Sequence, residues 1–467
     1  MYNYKFMSLA LNPLRTIKCL DPRVMISNER TYAILEGGSQ VSFKQYSTTS
    51  VANDTIQFSC PPPSPNIIVN RKVYFTLPVR LAFFSNAPNA NNLIRPRADG
   101  PRAYPIANSL SNIAVTINNT TVTLNTSDVI QSLLRYNTGN YLKTHDYSLS
   151  PSTLDQSQNY SDLYTSNRSP LQFYADTADE VDEARSGFPF TIVVNTPSAA
   201  VIDMVLTEEI YLPPFYWGCG NMGGFIGVQT MDFNINFLGA TPYRMWSHDA
   251  VSNSGSAPGA ITSAQFALTG FTSIVNLPFS YAQQQPILNF EYITPKELQT
   301  IPRSVTYPYF VIDRYPTPFG TINSNAQATI SSNNIQLNSI PRRMYIACRP
   351  DNSVLYANPN TPDSFAAITG ISVNWANNSG LLSSASQYQL YLMSLKNHCN
   401  QSWTQWSGGP VNLAGVFPTG GTISPPVAAT GGSYIGACCG PLCIEFGTDI
   451  GLGDSEAPGQ HIGLSII

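Results

Sequence analysis

A chain of 467 residues exceeds the ~250–300 at which a single hydrophobic core stops growing, so two large domains or three smaller ones are expected. Charged residues make up only 11%, against ~25% in an average soluble protein, so the polar surface is built from Ser, Thr, Asn and Gln and suits close packing against copies of the same chain. The net charge of −4 excludes a basic face able to clamp a phosphate backbone, and with it sequence-specific nucleic-acid recognition as the main task.

No run of ~18 apolar residues exists; the best candidate, Phe188–Leu206, is broken by Asn195, Pro197 and Asp203, and no membrane span is expected. The N-terminal MYNYKFMSLALNPLRTIKC lacks the continuous apolar core of a signal peptide, which predicts a soluble protein made inside the cell. The cysteines (Cys19, Cys60, Cys219, Cys348, Cys399, Cys438, Cys439, Cys443) are too sparse for a disulfide scaffold and read as reduced, buried apolar residues. Cys438, Cys439 and Cys443 cluster, but only His461 lies downstream and no second ligand pair follows, so no metal is expected. Sequons such as Asn118-Asn119-Thr120 and Asn400-Gln401-Ser402 follow from composition and are expected to stay unglycosylated.

In chain order, residues 1–25 form an arm carrying Lys5, Arg15, Lys18 and Arg23 against Asp21. It reads either as a poorly ordered terminus or as a basic arm reaching under a neighbouring subunit or toward an acidic interior. Residues 26–238 read as a first β domain. Gln40–Tyr46 and Thr55–Cys60 alternate; a long strand then puts Ile67, Val69, Val73, Phe75, Leu77, Val79 and Leu81 on one parity against Asn70, Lys72 and Thr76, predicting one buried and one solvated face. Ser85–Ser111 reads as loop. Asn112–Leu134 follows as a strand, an Asn-rich turn and a short helix capped by Ser127 or Asp128, with Ile130, Leu133 and Leu134 on one face.

Residues 140–187 read as a long loop ending in Asp176, Asp179, Glu180, Asp182 and Glu183, without the Asp-x-Asn-x-Asp-Gly register of a calcium site. Phe188–Asn195, Ala200–Glu208 and Phe225–Phe237 complete eight strands. The Gly-rich GCGNMGGFIG (218–227) is no phosphate loop, because a strand rather than a helix follows it; its glycines read as a bend or a close backbone contact. Residues 239–262 read as an inter-domain linker and 263–467 as a second β domain. Its expected strands are Ile287–Ile293, Val305–Ile312, Ile335–Asn338, Arg343–Cys348 and two closing ones near Tyr434–Phe446 and His461–Ile467. A loop is expected at 397–432.

The strongest organisational signal is internal. Sliding Asn112–Leu134 by 258 positions without a gap sets Ile113 on Ile371, Val115 on Val373, Asn119 on Asn377, Leu124 on Leu382, Gln131 on Gln389 and Leu134 on Leu392. A period this long implies two similar domains rather than a solenoid. It predicts a second helix beginning near Ser384–Ser386, with Tyr388, Leu392 and Leu395 on its face.

Catalytic chemistry is not signalled. His145, His248, His398 and His461 sit in no nucleophile, metal or acid–base motif, and His248-Asp249 reads as a loop contact. No catalytic, cofactor-binding or metal-binding residue is assigned, and no enzyme is expected. Two β-sandwiches in tandem, each eight-stranded with a short flanking helix and long loops, form a double jelly-roll. Thr300-Ile301-Pro302-Arg303-Ser304-Val305, the run Ile335-Gln336-Leu337-Asn338-Ser339-Ile340-Pro341-Arg342-Arg343-Met344-Tyr345-Ile346 and Leu35-Glu36-Gly37-Gly38 carry a resemblance to double jelly-roll major capsid proteins of small eukaryotic double-stranded DNA viruses, the polinton-like viruses, adintoviruses and virophages. The resemblance implies a homotrimer of six jelly-rolls. This pseudo-hexameric capsomer would tile an icosahedral virion shell beside neighbouring capsomers, a penton and minor or cement proteins, with inner-membrane contact through the basic arm. The competing reading is a carbohydrate-binding or carbohydrate-active sandwich with an aromatic groove at Trp403 and Trp406.

Overall fold

The structure is a computed structural model that describes residues 40–88, 92–94, 99–136, 190–215, 224–239, 241–248, 261–268, 285–294, 307, 309–322, 326–351, 363–376, 378–407, 411–412, 434–435, 439–454 and 456–459. The arm at 1–25, the loop at 140–187 with its acidic run, and the closing strand at 461–467 lie outside them.

Eight main strands build the first half: β1 (Gln40–Ser47), β2 (Thr55–Ser59), β3 (Tyr74–Phe84), β4 (Leu110–Ile117), β5 (Thr120–Leu124), β6 (Ala199–Glu209), β7 (Met231–Phe237) and β8 (Ile287–Thr294). One sheet runs β1-β8-β3-β6 and the other β2-β7-β4-β5, with antiparallel pairing in both. Apart from the hairpin β4–β5, these eight strands change sheet one after another, which is the jelly-roll path, and Phe190–Asn195 adds an edge hairpin with β6. Alternation decides what lies between the sheets: β7 buries Met231, Phe233, Ile235 and Phe237 while Asp232 and Asn234 face water. Phe58, Phe75, Leu77, Ile113, Met204, Leu206 and Phe290 meet them in one core. Each such side chain contributes roughly 1.5–3 kcal/mol.

This topology corrects the expected boundaries. β8 pairs with β1 along its whole length, from Gln40 opposite Thr294 to Ser47 opposite Ile287, and Ser263–Ala267 pairs with the far end of β3. Both segments, assigned to the second domain by sequence, are therefore strands of the first sandwich. Residues 239–262 likewise hold more than a linker, since Thr241–Met245 is helical and Trp246–Ser247 pairs with Gly100–Pro101.

The stretch read as loop, Ser85–Ser111, is buried from Asp99 to Leu110 and contains a helix, α1 (Pro105–Ser109). Pro105 at its first position needs no hydrogen-bond partner there. The long strand is also interrupted, with Ile68–Val69 separate from β3. The opposite face of β3 is not fully solvated: Arg80 is buried and grips Asp203 of β6 through two bonds of 2.7 and 2.8 Å. Gly224 does make the expected close approach. A Cβ there would stand 2.5 Å from the Val69 carbonyl oxygen.

Helix α2 (Thr126–Leu134) follows β5, and α3 (Thr241–Met245) follows β7. The cap of α2 falls on Asn125, without a side-chain bond, rather than on Ser127 or Asp128, although Asp128 does occupy the first turn. The second half repeats the path from β3 to β6. Strands β9 (Arg343–Ile346), β10 (Val373–Trp375) and β11 (Asn378–Leu381) come first, then helices α4 (Gln387–Lys396) and α5 (Trp403–Ser407), then β12 (Leu442–Glu445). β9 pairs antiparallel with β12 as β3 does with β6, and β10–β11 is a hairpin as β4–β5 is. Asn118 (φ 52°) and Ala376 (φ 50°), 258 positions apart, turn the two hairpins in the same left-handed conformation.

Divergence begins at the second helix. α4 is capped by Ser386, whose hydroxyl accepts from the Gln389 N–H while the Gln389 side chain bonds back, a capping box. Its buried side is Leu390, Tyr391 and Ser394, and the expected face of Tyr388, Leu392 and Leu395 is exposed. α4 is apolar on nearly every side, so periodicity alone does not choose which side turns inward. Among the described residues, Val305–Ile312 and Ile335–Asn338 form no ladder. The first of them includes Pro308, which has no N–H to give.

Candidate functional site at the junction of the halves

Four of the ten buried Asp, Glu and Arg side chains among the described residues, Arg102, Arg135, Arg244 and Asp363, gather where α1, α2 and α3 meet the segment that precedes β10. Asp363 is 3% exposed at its side chain and forms an ion pair with Arg244 of α3. Gln131 of α2 donates to its other oxygen at 3.3 Å, and Arg135 donates to its backbone carbonyl at 3.2 Å. Arg102, held by the Tyr243 carbonyl at 2.9 Å, adds a third guanidinium. Burial alone pushes the Asp363 carboxyl up, but Arg244, Arg102 and Arg135 outweigh it and hold the group below its ordinary 3.8.

A second layer surrounds this pair. The Arg135 guanidinium lies 4.9 Å over the Phe365 ring. Asn400 donates its backbone N–H to the Arg135 carbonyl at 2.8 Å and its amide to the Leu134 carbonyl at 3.2 Å, closing the C-terminal end of α2. Asp128, at the other end of α2, binds Arg314 and Arg349 of the second half. Tyr136, just past α2, inserts into the second core, where its hydroxyl donates to the Pro441 carbonyl and its ring meets Tyr345 edge-on at 5.1 Å. The chain leaving α2 thus contributes a ring to the core of the second half.

This arrangement ties the two halves of the chain together. His248 is buried 3.0 Å from Asp99; Asp249, His145 and His461 lie outside the described residues. Cys399, Cys439 and Cys443 are buried free thiols, and burial pushes Cys439 up to about 11 and Cys443 up to about 12, which disfavours thiolate ligands. No metal-binding cluster occurs among the described residues, and Cys438 lies outside them. Trp406 is wholly buried and donates to the Pro441 carbonyl, and Trp403 stacks on it at 6.3 Å. Trp406 is therefore core, and the half-buried Trp403 packs against it. Sequence reading missed Asp363, Arg102, Arg135 and Arg244. Their signal was a handful of arginines lying in apolar text within a chain poor in charge.

Large exposed apolar side chains are also unevenly placed. Among the described residues six of eleven (Val311, Tyr315, Phe319, Ile322, Ile330, Ile335) lie in irregular backbone ahead of β9, and three more line α4. Among the described residues, the second half therefore carries most of the large exposed apolar side chains, the kind of surface that suits association.

A family description, the Sputnik virophage major capsid protein 1st domain, matches residues 13–280, and another, the major capsid protein V20 C-terminal domain, matches 313–464. A relative from Sputnik virophage, "Putative capsid protein V20", is 33% identical over 463 residues, covering 97% of this chain and 73% of that protein. The chain belongs to the virophage major capsid protein family. Among solved structures, the Sputnik virophage cryo-EM structure superposes with a TM-score of 0.76 at 31% identity, over 95% of this chain and 84% of that one. The mavirus major capsid protein, at 16% identity, shares the fold with a TM-score of 0.63 over 93% and 82%. This capsid protein is accordingly a double jelly-roll and a structural component of the virion capsid.

Proposed function

We propose that three copies of this capsid protein form a pseudo-hexameric capsomer that tiles an icosahedral shell, and that the protein performs no catalysis. The reading rests on the repeated hairpin and helix at Leu110–Leu134 and Val373–Lys396, joined by a buried junction. Two like sandwiches held rigidly on one chain let a three-fold object fill a six-fold position. Neighbouring capsomers, a penton and minor or cement proteins are the partners this geometry calls for, and the basic arm at 1–25 is the segment suited to reach an inner membrane. The apolar residues of 311–335 and α4 supply contact area. Native mass spectrometry of the purified chain tests the proposal: three chain masses are expected, and a stable monomer at micromolar concentration contradicts it.

A further inference from the structure

We propose that Glu208 is a pH-dependent catch that ties the end of the first sandwich to the second half of the chain, holding in acid and releasing in weak alkali. Glu208 lies on the inward face of β6 opposite Phe75 and is buried. Its two carboxyl oxygens accept the backbone N–H groups of Ile106 at 2.7 Å and Ala107 at 2.9 Å, so the side chain fixes the start of α1. From α1 a chain of bonds leads across the junction. Asn108 accepts from the Gln131 amide at 3.0 Å, and the same amide nitrogen reaches Asp363 at 3.3 Å. Asn108 is itself held by donating to the Ala103 carbonyl at 2.7 Å. Three links therefore connect a carboxyl inside the first sandwich with the carboxylate on which three arginines of the first half converge.

The surroundings of Glu208 decide the direction. α1 carries no ionisable side chain; β3 presents Phe75, β4 presents Leu110 and Ile113, and α2 presents Thr126. The ionisable neighbours lining the same small cavity are Glu209, which alternation sends to the other face of β6, and Tyr211, whose ring meets Tyr104 at 5.7 Å. No Lys, Arg or His lines it. A carboxylate here has two backbone donors and no cation, and burial outweighs those donors, pushing Glu208 up from 4.5 to about 8. The group is raised in the folded state, so its stabilising contribution is complete below about pH 4.5 and is lost as pH rises through about 8.

Hydrogen exchange on the full chain between pH 5 and 9, corrected for intrinsic rates, tests the catch. Opening frees Glu208 to ionise, so protection of the α1 amides should fall about tenfold per pH unit up to about 8 and then level off. The backbone around Phe365 and Ala366 should lose protection in parallel. Glu208→Gln should flatten both profiles, whereas Glu209→Gln should leave them sloping. A flat wild-type profile overturns the proposal without need of any variant, as does an unchanged slope in a folded Glu208→Gln protein. Loss confined to α1 overturns the link to the second half.

Discussion

The two halves of this capsid protein share a hairpin, a turn and a helix, yet they bury themselves to different degrees. The first closes eight strands around Phe233, Leu77 and Leu206, and its apolar residues face one another. The second, within the described residues, closes a smaller core on Leu390, Trp406, Leu442 and Ile444, with Tyr136 contributed by the first half. Its exposed apolar residues stand at 311–335 and along α4. The difference teaches that repeating a path does not repeat its burial. Among the described residues the first sandwich buries the larger core, and the second shares its smaller core with Tyr136 of the first.

Removing the junction should have the largest effect. Asp363→Ala leaves Arg102, Arg135 and Arg244 facing one another in a buried space, and a loss of roughly 3–5 kcal/mol is expected. Calorimetry should show the second half melting earlier while the first melts as before. One undivided, unshifted transition would erase the distinction between the halves.

Next in size is the pair Leu134 and Leu392, which stand 258 positions apart. Leu134 is wholly buried and Leu392 is 42% exposed. Leu134→Ala should cost about 2–5 kcal/mol in chemical denaturation, and Leu392→Ala should stay within about 0.5 kcal/mol for the isolated chain. In the assembled shell the second substitution should instead weaken association, read as a raised concentration for assembly. Equal losses in the isolated chain would mean that the two helices are buried alike.

The smallest contrast concerns the caps. Ser386→Ala removes the hydroxyl that accepts the Gln389 N–H at the start of α4 and should cost about 1 kcal/mol, whereas Asn125→Ala removes no cap bond from α2 and should be nearly silent. Urea midpoints of the two variants decide it, and a larger effect at Asn125 would contradict the geometry.

What could be read from sequence was what is local or periodic. The alternation of Met231–Phe237 appears unchanged in burial, and the gapless match of Asn118 to Ala376 recurs as a matched left-handed turn. Other features depend on partners distant in sequence. Nothing near Ile287–Thr294 says that it pairs with Gln40–Ser47, so the domain boundary was placed too early. Asp99–Leu110 has the proline and glycine of a loop, and only the packing of α1 against α2 and α3 makes it interior. The face of α4 escaped for a different reason: Tyr388, Leu390, Tyr391, Leu392, Met393 and Leu395 surround the helix, and tertiary contact made the choice. The arginine junction escaped because its members come from residues 102, 135, 244 and 363, too far apart for any spacing rule.

Negative-stain imaging of the purified chain tests most directly the claim that two like sandwiches on one chain build a six-cornered unit. Class averages with a hexagonal outline and three-fold symmetry are predicted. Single two-lobed particles at every concentration, with no hexagonal class, would contradict it.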